Sequence, residues 1–300
     1  MQEIIFGLFG GLGLFVLGIK FLSDSLQKIA GTRIRRVLHT LIGNRFQGVA
    51  VGAVVTSIIQ SSSVTTVLLA GLINAGIVSL KQAVSVVIGA NIGTTITAQI
   101  LAFKLSAYAL PAIGVGVAMI IMAKRKQTQF WGNFILSLGL IFLGLVTMSE
   151  VMRPLKDLPE VAHFFVSLSS QPLLLMLVGT LFTFLVQSSS AAMGVVLAMA
   201  NAGLIDFTAA VYLVLAMNIG TTITAWLASI GGAVSTRRMA CFHSLFNVLG
   251  VLYFYFLVQS GVFLHFVDSL TPGDITPETI SRHIANAHTL FNVINAILFV

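Results

Sequence analysis

One tetrad of the chain occurs twice. Gln60-Ser61-Ser62-Ser63 returns as Gln187-Ser188-Ser189-Ser190, 127 residues later. Asn91-Ile92-Gly93-Thr94-Thr95-Ile96-Thr97 returns as Asn218-Ile219-Gly220-Thr221-Thr222-Ile223-Thr224 at the same offset, and so does Asn74-Ala75-Gly76 as Asn201-Ala202-Gly203. Upstream, Leu12-Gly13-Leu14, Leu17-Gly18 and Ser23 match Leu138-Gly139-Leu140, Leu143-Gly144 and Ser149 at an offset of 126. This is an internal duplication, and any fold for the chain must contain two copies of one unit.

The unit belongs in a membrane. Of 300 residues, 57% are apolar and only 8% charged, whereas soluble domains average about 25% charged. So few charges cannot cover a water-facing surface. Apolar runs such as 4–19 and 130–149 approach the ~20 residues that cross a bilayer. The first run is read as a retained span rather than a leader. Its tip carries Glu3 and no Lys or Arg, no small-residue cleavage site follows, and it has a duplicate. The single cysteine, Cys241, can make no internal disulfide and is expected as a small packing residue. The net charge of +7 sits in short loops beside apolar spans, where basic residues set orientation, and does not point to nucleic acid.

Threading by basic residues gives a first span over 4–22, then a cytoplasmic stretch 23–46 with Lys28, Arg33, Arg35, Arg36 and Arg45. Residues 48–59 and 64–73 flank the first tetrad and are each too short to span, so they are expected as a helical hairpin that enters and leaves on one side. Spans over 82–103, broken near Asn91 to Gly93, and 105–123 follow. The second half repeats the order upside down: a span over 130–149, an external amphipathic helix after Pro154, a hairpin over 172–200, a span over 207–231 broken near Asn218 to Gly220, and a span over 240–260. An external loop over 261–281 and a further span over 283–300 complete it. This arrangement puts 12 of the 16 Lys and Arg inside, Lys20 among them, and eight of the nine acids outside, all but Asp24.

The expected fold is therefore an all-α polytopic membrane protein with two inverted-topology repeats, residues 1–126 and 127–300, each with a re-entrant helical hairpin and a broken transmembrane helix. Its place is the cell inner membrane or plasma membrane, multi-pass, with the N-terminus outside.

At each hairpin tip the carbonyl end of one half-helix would meet the N–H end of another. The first suits Na⁺ and the second an oxyanion. Gln60 and Gln187 add an amide to each tip, and Ser61, Ser62, Ser63, Ser188, Ser189 and Ser190 add hydroxyls that donate or accept. Thr65 and Thr66 extend the hydroxyl set in the first half, where the second has Ala192 and Met193. Asn91, Thr94 and Thr95, with Asn218, Thr221 and Thr222, are candidate ligands on an unwound segment. Simple packing of serines and a plain glycine kink are the competing readings. His243-x-Leu245-Phe246-Asn247 resembles His288-x-Leu290-Phe291-Asn292; both histidines read first as packing residues, with pairing to backbone, gating or contact with the substrate as the alternatives. Neither a Ser–His–acid set nor a phosphate-cradling P-loop appears, so nothing argues for an enzyme.

On the paired tetrads and the paired glycine-threonine segments, the chain resembles the bacterial branch of the type II sodium–phosphate cotransporter family over roughly residues 4–300. The resemblance implies Na⁺-coupled transport of inorganic phosphate, with both tetrads forming the substrate and sodium sites. It implies no cofactor beyond sodium as the coupling ion, and a PhoU-like cytoplasmic domain if the native chain is longer. Electrogenic members carry an aspartate after the first glycine-threonine segment, and the matching stretch near Ser106-Ala107-Tyr108 has no acid. With Asp24 placed at a loop edge, the core holds no carboxylate. Two Na⁺ per divalent phosphate are then expected, because an unpaired third cation in a low-dielectric site is strongly disfavoured. A membrane phosphate sensor or scaffold without transport, and a sodium-coupled transporter of another small anion, are the alternatives.

Overall fold

The structure, a computed structural model, describes residues 2–30, 43–103 and 106–300. Arg33, Arg35 and Arg36 of the expected cytoplasmic stretch lie outside the described residues. All regular structure among the described residues is helical. The helices are α1 (Gln2–Ala30), α2 (Arg45–Ile59), α3 (Ser62–Asn74), α4 (Leu80–Leu101), α5 (Ala109–Met122), α6 (Lys126–Met152) and α7 (Pro159–Ser169), followed by α8 (Pro172–Val186), α9 (Ser189–Asn201), α10 (Phe207–Thr221), α11 (Ile223–Ser229), α12 (Val234–Gln259), α13 (Val262–Leu270) and α14 (Ile280–Phe299).

Among the described residues, five helical stretches are long and apolar enough to cross a membrane: Gln2–Ile29, Leu80–Leu101, Lys126–Asp157, Phe207–Ser229 and Val234–Gln259. The pair α7 and α8, bent by 100°, makes a sixth if taken as one span. Large apolar side chains stand on the outside, with Phe9 75%, Met122 79% and Leu185 77% exposed. In water such a surface would drive association; against lipid it costs nothing. The chain is a multi-pass membrane protein.

The duplication in the sequence is a duplication of backbone. Helix α9 begins and ends 127 residues after α3, and α8 ends 127 residues after α2. Helices α1 and α6 pack along most of their length. Going up α1, Gly7 meets Val151, Gly11 meets Met148 and Gly144, and Gly18 meets Ile141 and Ser137, so the pair runs antiparallel. The contact is also reciprocal. A Cβ on Gly144 would lie 2.5 Å from the Gly11 carbonyl oxygen, and one on Gly18 would lie 3.0 Å from that of Ser137. Gly18 and Gly144 are equivalents, as are positions 11 and 137. Only glycine lets the two backbones come this close.

Helix α10 is apolar on every side and sits in the middle, with Ala210, Val211, Val214 and Leu215 fully buried. It packs on α8, α9, α12 and α14. The ends of the two hairpins are tied to later helices in matching ways. Asn74 at the end of α3 accepts from the Ala233 N–H (2.9 Å) and Thr236 Oγ1 (2.6 Å) at the start of α12. Asn201 at the end of α9 accepts from Ser281 Oγ (2.8 Å) at the start of α14.

Several expectations need correction. Helix α4 is continuous through Asn91 to Gly93, so the first half has no broken span. Gly93 is there for contact: a Cβ would lie 2.5 Å from the Ala53 carbonyl oxygen and 2.7 Å from Thr56 Cβ. Gly220 packs identically on Thr180 and Thr183, and the second-half helix is interrupted two residues later, at Thr222 between α10 and α11. The span expected over 105–123 is a 14-residue α5, about 21 Å long at ~1.5 Å per residue and shorter than a bilayer core of ~30 Å. The helix expected directly after Pro154 begins at Pro159, after a 3₁₀ turn at Arg153–Asp157. The loop over 261–281 contains α13, a nine-residue helix. Helix α14 covers the last expected span but is not among the apolar spanning helices, because Arg282, His283, His288 and three asparagines interrupt it. Cys241 is exposed rather than packed; it sits on the outer face of α12 with Leu245 and Val248, where a small apolar thiol is as well suited to lipid as to a core.

Candidate functional site

Each tetrad is the joint between two short helices. Helix α2 ends at Gln60, whose backbone is left-handed (φ 59°), and Ser61 at once caps α3, its side chain accepting from the Val64 N–H. Gln187 repeats this with φ 56°, and Ser188 accepts from the Ala191 N–H. No other described non-glycine residue has positive φ. Glycine is the residue that fits a left-handed helix end without cost, whereas another residue costs about 1 kcal/mol or more. A glutamine therefore stands at each joint against its own backbone preference. The joint brings the last carbonyls of one helix and the first-turn N–H groups of the next to one place.

The two joints meet. A cavity of about 310 Å³ is lined by all eight tetrad residues, Gln60 to Ser63 and Gln187 to Ser190. Its third wall is α1, through Val16, Ile19, Lys20, Ser23, Asp24 and Gln27. These six recur at the three- and four-residue spacing of one helix face. Ser23 Oγ donates to the Ile59 carbonyl oxygen (2.6 Å) and Gln27 Nε2 donates to Ser23 Oγ (2.9 Å), which pins α1 to the first joint. Lys20 and Asp24 were assigned to the membrane edge by counting charge. Helix α1 instead runs on to Ala30 and puts both on the cavity wall. The signal was legible in the polar stripe of Lys20, Ser23, Asp24 and Gln27.

The other candidate ligands are elsewhere. Thr65 Oγ1 is paired with Thr56 Oγ1 at 2.9 Å, and Thr66 donates to the Ser62 carbonyl oxygen. Thr94, Thr95, Thr221 and Thr222 donate to carbonyls of their own helices, the usual habit of hydroxyls in apolar helices. Asn91 belongs to a buried trio on α4 and α12, donating to Asn247 Oδ1 (2.7 Å) and lying 3.3 Å from His243 Nε2. Asn218 donates to the Val214 carbonyl oxygen. None of these lines the cavity. The glycine-threonine segment reaches the joint through a residue that sequence reasoning did not single out: Thr97 Oγ1 donates to Gln60 Oε1 at 2.9 Å.

A family model described as Na+/Pi-cotransporter matches residues 14–150 and 158–268. The chain is 30% identical over 286 residues to uncharacterized protein YqeW of Bacillus subtilis, a match that covers 95% of this chain and 90% of the relative. It is 31% identical over 245 residues to putative inorganic phosphate export protein YjbB of Escherichia coli K12, covering 82% of this chain and 45% of the relative. The chain thus spans under half the length of that protein. To sodium-dependent phosphate transport protein 2A of Rattus norvegicus it is 33% identical over 97 residues, 31% of this chain and 15% of the relative. No solved structure matches significantly.

Proposed function

The chain belongs to the Na+/Pi-cotransporter family, and on that premise we propose that it is a sodium-coupled symporter moving inorganic phosphate by alternating access. The observation that carries this reading is the meeting of both tetrads at one cavity. The N–H ends of α3 and α9, with the serine hydroxyls, present donors to an oxyanion. The carbonyl ends of α2 and α8, with the Gln60 and Gln187 amide oxygens, present the hard oxygen ligands that Na⁺ takes. Lys20 and Asp24 offset each other, so the lining carries no net charge and holds an ion only where that ion's charge is balanced nearby, which favours sodium and phosphate entering together. The test is phosphate uptake into proteoliposomes with and without an inward Na⁺ gradient. Uptake that needs the gradient is expected; sodium-independent binding without accumulation would replace transport by sensing. Competition by arsenate, sulfate and carboxylates tests the anion.

In this reading residues 1–126 and 127–300 are inverted repeats, and α2–α3 and α8–α9 are re-entrant hairpins. The antiparallel, reciprocal contact of α1 with α6 supports the inversion. So does the shortness of the hairpin helices, 15 and 13 residues in each half. The proposed setting is a bacterial inner or plasma membrane with the N-terminus outside. With Lys20 removed from the tally, eleven of the other fifteen Lys and Arg still fall inside. In a Cys241→Ala background, Arg125→Cys and Asp274→Cys are expected to label from opposite sides, and labelling from the same side rejects the inversion. A PhoU-like domain in a longer chain stays part of the proposal; the unmatched length of the Escherichia coli relative supports it.

The name of that relative, a putative inorganic phosphate export protein, favours a second reading in which the net flux is outward. Vesicles loaded with phosphate and given an outward Na⁺ gradient test it.

A further inference from the structure

We propose that Lys20 and Asp24 of α1 are the charged ligands of the cavity, Lys20 pairing with the phosphate and Asp24 with a coupling sodium. The inference rests on the transport reading above and adds specificity-determining residues to it. Every other polar residue of the lining, glutamine or serine, is neutral. Lys20 and Asp24 are one helical turn apart, yet they form no ion pair with each other or with any described residue. Two unpaired charges lie within a 29-residue helix whose other exposed positions include Phe6, Phe9, Val16 and Leu17. Charges inside a membrane helix are costly, and they persist where they serve an ion path.

The register of α1 is held for this purpose. Ser23 bonds the last carbonyl of α2, and Gln27 bonds Ser23. Lys20 and Asp24, on either side of Ser23, are thereby turned to the same cavity as the two joints. A lysine is a mobile point charge with three donors, suited to an anion that must be released. A carboxylate offers oxygen ligands and the negative charge that the amides and hydroxyls lack. Asp24 does place a carboxylate at the cavity, but Lys20 one turn away offsets it, so the lining still brings no net charge to compensate a third sodium.

The experiment measures phosphate KM and sodium half-activation in proteoliposomes for Lys20→Gln and Asp24→Asn. Lys20→Gln is expected to raise phosphate KM about ten- to a hundredfold and to leave sodium activation unchanged, with Lys20→Arg restoring the affinity. Asp24→Asn is expected to raise the sodium half-activation concentration by a similar factor, with phosphate KM unchanged at saturating sodium. Should either variant elute as aggregate, Lys20→Met and Asp24→Ser carry the same test. Wild-type uptake with both variants unchanged, or with both shifting the same constant, overturns the inference while leaving the transport reading intact. A wild type without sodium-dependent uptake rejects the transport reading and this inference with it.

Discussion

At the first joint, Ser23 reaches across from α1 to the Ile59 carbonyl, Gln60 Nε2 donates to the Ser57 carbonyl oxygen, Thr97 donates to Gln60 Oε1, and Thr56 pairs with Thr65. At the second joint, each counterpart turns away. Ser149 donates to Leu145 in its own helix, Thr224 donates to Thr221, and Thr183 donates to Gly179. Gln187 is exposed and its side chain meets no hydrogen-bond partner among the described residues. Where Thr65 would stand there is Ala192, beside an apolar cleft of about 200 Å³. Gln60 and Gln187 share φ to within a few degrees, and among the clamping residues only Thr65 and Ala192 differ in type, yet the side chains that clamp the first joint find other partners at the second. Duplication conserved the geometry that aims helix ends at the cavity; divergence fixed one joint by side-chain clamps and left the other to its backbone caps.

The seam behind each joint gives the largest expected effect. A Cβ on Gly52 would lie 2.1 Å from the Val86 carbonyl oxygen, whereas one on Gly179 would first meet the Leu213 Cδ2 methyl at 2.9 Å. Backbone cannot yield as a methyl can. Gly52→Ala is expected to cost about 3 kcal/mol, at the upper end for overpacking, and Gly179→Ala under about 1 kcal/mol. Thermal unfolding in detergent measures both, and equal losses would erase the distinction between the seams.

The glutamines come next. Gln60→Ala leaves the Thr97 hydroxyl and the Ser57 carbonyl without partners in a buried site, an expected loss of about 1–3 kcal/mol. Gln187→Ala removes no internal hydrogen bond and is expected within about 0.5 kcal/mol of wild type. A larger loss at Gln187 than at Gln60, read by the same unfolding assay, would reverse the assignment of the clamped joint.

The threonine pair sharpens the comparison most finely. Thr65→Ala is expected to cost about 1 kcal/mol, the worth of one buried hydrogen bond. Ala192→Thr places a hydroxyl opposite Thr183 beside the cleft, and a gain of up to the same size is expected. Unfolding of the Thr65→Ala and Ala192→Thr proteins side by side checks the pair, and destabilisation by Ala192→Thr would mean that the cleft cannot take the methyl.

Much of this was legible in the sequence. The repeat offset located both joints to the residue, and the shortness of the apolar pieces beside Gln60 and Gln187 predicted two helices meeting at each tetrad. The glycine-threonine segment was misjudged in the first half because a glycine inside an apolar helix reads the same whether it breaks the helix or admits a neighbour; only the Ala53 backbone opposite Gly93 decides between them. Lys20 and Asp24 were misplaced because charge near a span end was read as a mark of orientation, although their spacing with Ser23 and Gln27 already described one helix face. Helix α14 falls short of the apolar spanning helices because its buried face mixes His283, His288, Asn292 and Asn295 with Ile284, Ala287 and Phe291.

Phosphate affinity in Ser62→Ala and Ser189→Ala, measured side by side with wild type, bears most directly on whether the two joints serve one anion. Both serines line the shared cavity at the first turn of their helices. Each substitution is expected to weaken phosphate binding about ten- to a hundredfold, the worth of one hydrogen bond to a charged group. Loss in only one of the two, with the other at wild-type affinity, would contradict a single site built from both joints.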